Sequence, residues 1–496
     1  MGGWVYLGNG RPQECLEALR KNQYSKASYF DGVPSDLGRR YPHLLARAFV
    51  HLAWKQQLLV QEPVSYKGGI LIQAFKGRGS PGLCENYRAL MVSSILAKAT
   101  HRRLRSGTMD SFSAYRLPLQ IGGLAGRSVA QGAHCLLSYV AMCRRECKSY
   151  AVLFVDVKQA FYRLFREHIV STKLSDTAIQ RLFSTFRLPS TAFSEFAREL
   201  EELSAMEAAG ASPFVQAHVR EALHGTWFKL MGAERLSQTR RGSRPGDNMA
   251  DILFAFAFRR ILQKVLDQLR DEGCPMQVES LGVAHPYPDQ LGVYPLVSFD
   301  TLGPIWADDL AVLVAADTAQ LLINKLTYVG GVLFDHLERA GMQVNFGAGK
   351  TEAVIDIRGP GAVDIRKELY RHNPPMLEFP NRDGPKRFCR LVATDKHLGT
   401  VFSHRGRLLP EIRHRLGQAR QAFRKHRKMI FSNVNLPIKT RTQLFVTLVL
   451  SVLQFNIAIW PALSNNEHQA FTKGVQALYH SLAYAFWAKK KKHLAG

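Results

Sequence analysis

At 496 residues the chain is too long for one small core and predicts two to four domains. With 46% hydrophobic and 21% charged residues it does not belong to the disordered class. Its 66 Lys and Arg against 40 Asp and Glu, a net charge of +26, point to a polyanionic partner, because each neutralised phosphate releases condensed counter-ions. The seven cysteines are odd in number and scattered. Cys143 and Cys147 sit four apart with no second Cys or His pair at zinc spacing, which predicts a reduced intracellular protein. The N-terminal MGGWVYLGNGRPQEC lacks the basic-then-apolar order of a secretory signal, and an intracellular, nuclear location is expected.

In chain order, residues 1–64 predict a helical extension without a readable motif. From GGILIQAFKGRGSPGLCENYRALMVSS onward, short apolar runs between Gly-rich basic turns predict strands and loops, followed by a helix over Ser94–Arg105. AVLFV (Ala151–Val155) is a continuous apolar run ended by Asp156, the pattern of a strand buried on both faces. Residues 175–225 predict helices, with Phe196, Leu200 and Leu203 on one apolar face. Phe254–Gly273 and Asp317–Gly341 predict further amphipathic helices. Residues 359–385, rich in Gly and Pro, predict a surface connection. Between Arg382 and Lys428 there are 14 Lys or Arg and 3 Asp or Glu, riding on an amphipathic helix with Ile412, Leu416, Ala419 and Phe423 inward. Leu444–Leu463 mimics a membrane span, uncharged over 20 residues. Yet Gln443, Thr447, Ser451 and Gln454 recur as one polar stripe, so a mostly buried helix in a soluble bundle is expected and no membrane. The chain ends in a Lys-rich tail, 489–496.

The acids carry the chemistry. PIWADDLAVLV (Pro304–Val314) predicts a β-hairpin with Asp308 and Asp309 at its tip, 152 residues beyond Asp156 for the first of them, so only the fold can bring the three together. Converging carboxylates repel unless cations neutralise them, and hard oxygen ligands select Mg²⁺ or Mn²⁺. Two such ions about 4 Å apart clamp the attacking and leaving oxygens of a phosphoryl displacement. An isolated ADD is usually a solvated turn, so the surrounding motifs decide.

The ordered set FVDVKQAFY, RRGSRPGDNMADILF, WADDLAV, GMQVNFGAGKTEAV and DKHLGTVFS resembles the palm motifs of reverse transcriptases, those of non-LTR (LINE-type) retrotransposons most of all. FKGRGSPGLCENYRALMVSSILAKATHRRL is similar to that family's fingers, and LPLQIGGLAGRSVAQGAHCL to its Gln-Phe-Gly-Gly stretch. The run from EIRHRLGQARQAF to LPIKTRTQLFVTLVLSVLQFNIAIW resembles its thumb. The likeness spans roughly residues 65–465 in order. It implies an α+β right-hand polymerase fold: fingers over 65–150, a palm with an antiparallel sheet over 151–400 carrying a helical insertion near 170–230, and a basic helical thumb over 401–488.

The resemblance implies that Asp156, Asp308 and Asp309 hold two Mg²⁺ ions, with Mn²⁺ as the alternative, and that Trp306 replaces the usual Tyr or Phe before them. It implies that Lys76 and Arg88 grip the incoming dNTP, that Phe161 is the steric gate against a ribose 2′-hydroxyl, and that Lys350 protonates departing pyrophosphate. Gly242 and Gly246 would let the backbone approach the nucleotide, and His397 with Gly399 would form a primer-gripping turn. Arg420, Arg424 and Arg427 would meet phosphates of the RNA template and the DNA primer or target DNA. One departure stands out: where the family has Gln, Pro and Ser in its template-side motif, this chain has Pro245, Asn248 and Ala250, which fits either a variant subfamily or a decayed copy that only binds nucleic acid. A maturase-like or telomerase-like reverse transcriptase would carry a dedicated RNA-binding insertion, and none is visible. No endonuclease, zinc-knuckle or RNase H motif is visible either, so a fragment of a larger product, or partners in trans, are expected.

Overall fold

The computed structural model describes residues 12–22, 29–77, 79–171, 180, 184, 202–244, 246–281, 296–382 and 384–487. The chain is a mixed α+β protein built around a six-stranded sheet. Its strands, in spatial order, are β13 (Met376–Phe379), β14 (Arg387–Leu391), β12 (Glu352–Asp356), β3 (Ser149–Val155), β10 (Asp309–Ala316) and β9 (Ile305–Trp306). All neighbours run antiparallel except β12 and β14.

β3 is buried at every residue because both faces are covered. Ala151, Leu153 and Val155 share one core with the helices Ala250–Asp271 and Ala319–Arg339. Tyr150, Val152 and Phe154 share another with the helix Val129–Arg145. A strand with water on neither side has no reason to alternate polar residues, hence the unbroken AVLFV. Each large apolar side chain fully buried there contributes roughly 1.5–3 kcal/mol.

A second sheet joins β1 (Gly68–Phe75) and β2 (Tyr87–Val92) to β5 (Trp227–Leu230) and β6 (Leu236–Gln238). Three ribbons complete the strands: β4 (Val157–Lys158) with β11 (Gln343–Val344), β7 (Gln277–Leu281) with β8 (Leu296–Asp300), and β15 (Thr394–His397) with β16 (Thr400–Ser403). The helix Leu409–His426 packs Ile412, Leu416, Ala419 and Phe423 into a separate C-terminal core, as their spacing requires.

Three expectations change. Residues 359–385 are not a plain connection: Ala362–Leu369 is helical, and β13 closes one edge of the main sheet with Leu377 and Phe379 turned inward. Leu203 does not extend an apolar helix face; it is 66% exposed, just before Ser204 caps the helix Ala205–Ala208. Phe196, Leu200, Pro245 and the Lys-rich tail lie outside the described residues. The uncharged run Leu444–Leu463 is no continuous helix either. It passes from a π-helical turn, Val446–Leu450, into the short helix Ser451–Leu453 and then a break, while Gln443, Thr447, Ser451 and Gln454 face solvent. Among the described residues no helix is long and apolar enough to cross a membrane.

Candidate active site

The register of β3 and β10 gathers the acids. Leu310 lies across from Val155, so Asp309 and Asp156, each one step beyond that pair, lie at the same end of the two strands. Asp309 pairs back to Trp306, which leaves Ala307 and Asp308 as a two-residue turn with Ala307 left-handed at φ 56°. Gly122 packs its backbone so closely against Trp306 and Ala307 that a side chain there would strike them, and this holds the turn in place. Asp156 and the remote pair Asp308 and Asp309 thus share one end of one sheet.

Asp156 is tightly held. Asn345 Nδ2 donates to its Oδ2 at 2.8 Å, and the Lys350 ammonium donates to its Oδ1 at 3.1 Å. Its own N–H donates to Thr351 Oγ1 at 3.1 Å, and its carbonyl accepts from Asn345 N–H at 2.9 Å. Burial and then the charge of Asp156 push the Asp308 carboxyl above the usual range, against the pull of its own backbone N–H and Lys350. Burial, then Asp308 and Asp156, push Asp309 up to about 6. Asp395 on β15 was not singled out in the sequence. It also rises to about 6, through burial and the charges of Glu352 and Asp309.

These donors suit a hard divalent cation. They are carboxylate oxygens in mutual repulsion, and a cation, the Lys350 ammonium, already sits among them. Among the described residues no three carboxylate, imidazole or thiol groups converge closely enough to cage an ion as they stand. The side chains from the two strands would therefore supply part of a coordination shell that water and a ligand's phosphates complete.

Phe161 follows β4 through a left-handed residue, Gln159 at φ 52°. Its ring is half-buried and packs on Phe254, centroids 4.8 Å apart. Its carbonyl accepts from Ser243 N–H at 2.8 Å. Gly242, at φ 75°, comes so near that a Cβ would lie 2.6 Å from the carbonyl oxygens of Phe161 and Tyr162, so only glycine fits. Gly246 follows in the same loop at φ 91°, over the carbonyl of Met91 on β2. A buried charge network pins this loop: His101 Nε2 lies 2.6 Å from Glu62 and its Nδ1 2.7 Å from Asp247, which also meets Arg244 at 3.2 Å. The Asp247 contact is close but off the direction of a good hydrogen bond, so charge carries more of it than directionality does. Arg166, buried, adds bonds to the carbonyls of Gly242 at 3.0 Å and Arg241 at 3.2 Å.

Lys76 follows β1, its N–H bonded to the Asn86 carbonyl, and Arg88 lies across from Ala74. The alternation of strands places the two cations on one face of the hairpin, both exposed. Leu398 and Gly399 form the β15–β16 turn, both left-handed at φ 47° and 81°, the geometry of a tight primed hairpin turn. Buried Arg415 fastens that turn: it donates to the Gly399 carbonyl and pairs with buried Glu411 at 2.6 Å, while Glu411 accepts from Val401 N–H at 2.8 Å. His397 itself does not face out. It is 6% exposed with its ring 5.0 Å from that of Phe154, and burial lowers it to about 4. Only the turn it precedes can meet a ligand.

Arg420 and Arg424 on the helix Leu409–His426 and Arg427 in the π-helical turn after it are exposed, and among the described residues none is paired with a carboxylate. No protein-family model and no curated protein matches this chain.

Proposed function

We propose that the chain is an RNA-directed DNA polymerase, a reverse transcriptase of the non-LTR retrotransposon type with a right-hand architecture. The observation that carries this reading is the β3–β10 register, whose last pair, Val155 with Leu310, leaves Asp156 and Asp309 at the same end of the two strands with Asp308 in the adjoining turn. In this reading the six-stranded sheet is the palm, the β1–β2 sheet belongs to the fingers, and the C-terminal core is the thumb.

Asp156, Asp308 and Asp309 would hold the Mg²⁺ ions, which would supply neutralisation of phosphate charge and activation of the primer 3′-hydroxyl for its attack on the α-phosphate of a dNTP. Lys350, at the edge of the carboxylates, hands a proton to the departing pyrophosphate. Lys76 and Arg88 grip the triphosphate from the hairpin, a point charge and a planar fork on one face. The Phe161 ring, braced by Phe254, excludes a 2′-hydroxyl. The Gly242–Gly246 loop brings backbone against the nucleotide, and the Leu398–Gly399 turn supports the primer end. The exposed Arg420, Arg424 and Arg427 neutralise phosphates of the RNA–DNA duplex.

The test is primer extension on a homopolymeric RNA template with Mg²⁺ and with Mn²⁺. Extension by the wild type is expected, along with its loss in Asp308→Asn at unchanged primer–template affinity. Binding without extension by the wild type makes the chain a nucleic-acid-binding protein instead. Extension by the variant at the wild-type rate removes the acids from the chemistry.

A further inference from the structure

We propose that the site carries its own counter-ion. The Lys350 ammonium holds the place beside Asp156 Oδ1 that a divalent cation takes, so metal loading is an exchange in which Lys350 must leave. The inference rests on the nucleotidyl-transfer reading and adds to it an order of events.

The two oxygens of Asp156 are held differently. Oδ2 accepts from the Asn345 amide at 2.8 Å, and Asn345 is itself locked. Its N–H donates to the Asp156 carbonyl at 2.9 Å, its carbonyl accepts from Thr351 N–H at 2.9 Å, and its Oδ1 accepts from Gly347 N–H at 3.3 Å. Among the described residues Oδ1 meets only the tip of a long, flexible side chain that is 40% exposed, 3.1 Å away. One oxygen is therefore fixed and the other held by a group that can swing. A divalent cation bound to Oδ1 and an ammonium at hydrogen-bond distance from the same atom are like charges within a few ångströms, and the monovalent, mobile one gives way. The displaced Lys350 stays protonated and remains tethered beside the site, so it becomes available to phosphate oxygens once the metal is in place. Until then the acid stays turned toward the protein. Asn345 is a positioning residue: it keeps Asp156 aimed during the exchange.

The test uses the full chain and Mn²⁺ alone, with free Mn²⁺ read by electron paramagnetic resonance and no turnover required. Lys350→Gln removes no packing and is expected to bind Mn²⁺ about three- to tenfold tighter than wild type, the scale of losing one partly exposed competing charge. Lys350→Arg, which keeps the charge, is expected to stay near wild type. Asn345→Ala is expected to bind about tenfold weaker, as loss of a ligand-orienting partner does, with an unchanged melting midpoint. Equal or weaker binding by Lys350→Gln overturns the exchange and leaves the metal site standing. Absence of Mn²⁺ binding by wild type and by Asp156→Asn alike overturns the exchange and the polymerase reading together.

Discussion

The buried charge network behind the Gly242–Gly246 loop makes a stability prediction whose size follows from the structure. Burial by itself lowers the pKa of His101, but Asp247 and Glu62 more than reverse this and raise it from the usual 6.5 to about 9. The nearby Arg244 opposes them without winning. A group raised on folding stabilises fully below its unfolded pKa and loses that contribution as pH rises through the folded one. His101 therefore supports the fold below pH 6.5 and ceases to above pH 9. Each pK unit is 1.36 kcal/mol, so the contribution is about 3 kcal/mol. Midway, near pH 7.8, the folded imidazole is almost fully protonated and the unfolded one almost fully neutral. Stability there should fall by about 1.2 kcal/mol per pH unit. At the acid end the sign reverses. Burial raises Glu62 and Asp247, the charges of His101 and Arg244 hold both below the usual carboxylate range, and the stability they confer is lost as pH falls. The assay is urea unfolding between pH 6 and 10 for wild type and His101→Gln. The variant leaves two buried acids to one arginine, so it should lose about 3–5 kcal/mol at pH 6.5 and show a flatter slope between 6.5 and 9. Equal slopes for the two proteins would refute a charged His101.

Replacing Arg420, Arg424 and Arg427 with Gln should weaken primer–template binding and reduce the slope of log affinity against log salt by about 2–3. An unchanged slope takes this helix out of the footprint. Phe161→Val should raise ribonucleotide incorporation relative to dNTP by about tenfold, or 1.4 kcal/mol of discrimination, while losing about 1–3 kcal/mol of packing on Phe254. Equal losses for both sugars return the ring to a purely structural role. Gly242→Ala should cost about 1–3 kcal/mol by unfolding, because its Cβ meets two carbonyls and its φ is left-handed. Gly361→Ala, left-handed but in open space, should cost less, and equal costs would mean that the close approach does not matter.

What the sequence made legible were features whose signal is local and whose burial is symmetric. The unbroken AVLFV run announced a strand covered on both faces, and the stripe Ile412, Leu416, Ala419, Phe423 announced the helix that packs the C-terminal core. Asp156, Asp308 and Asp309 stood out because acids at the ends of apolar strands need a reason. Long-range contacts hid the rest. His397 follows Thr, Asp and Lys and is expected to face a primer from its turn, but Phe154 from a distant strand covers it. Glu411 and Arg415 look like an exposed helical pair, yet the Leu398–Gly399 turn docks over them and buries both. Asp395 showed nothing until β15 brought it near Glu352 and Asp309. For β13 a signal existed in the inward Leu377 and Phe379 flanking Glu378, but the Gly and Pro around it obscured it, and the need of β14 for a partner on its open side decided the matter.

One feature of construction unites the parts of the site. Three of the segments that would touch substrate are tied down by buried or half-buried polar groups. His101, Asp247 and Arg166 hold the Gly242–Gly246 loop. Arg415 and Glu411 hold the Leu398–Gly399 turn. Asn345 and Thr351 hold Asp156. Apolar side chains of similar volume would serve stability as well or better, since desolvating a charge offsets much of what its partner returns. Directional bonds supply angular definition to irregular backbone that has no ladder partners of its own. Catalytic groups need placement within about half an ångström, and loops reach that only when second partners orient them. The buried charges therefore lie where geometry has to be set without a strand or helix to set it, and Lys350, the cation in this group with the most exposed side chain and a loose grip, is the part free to move.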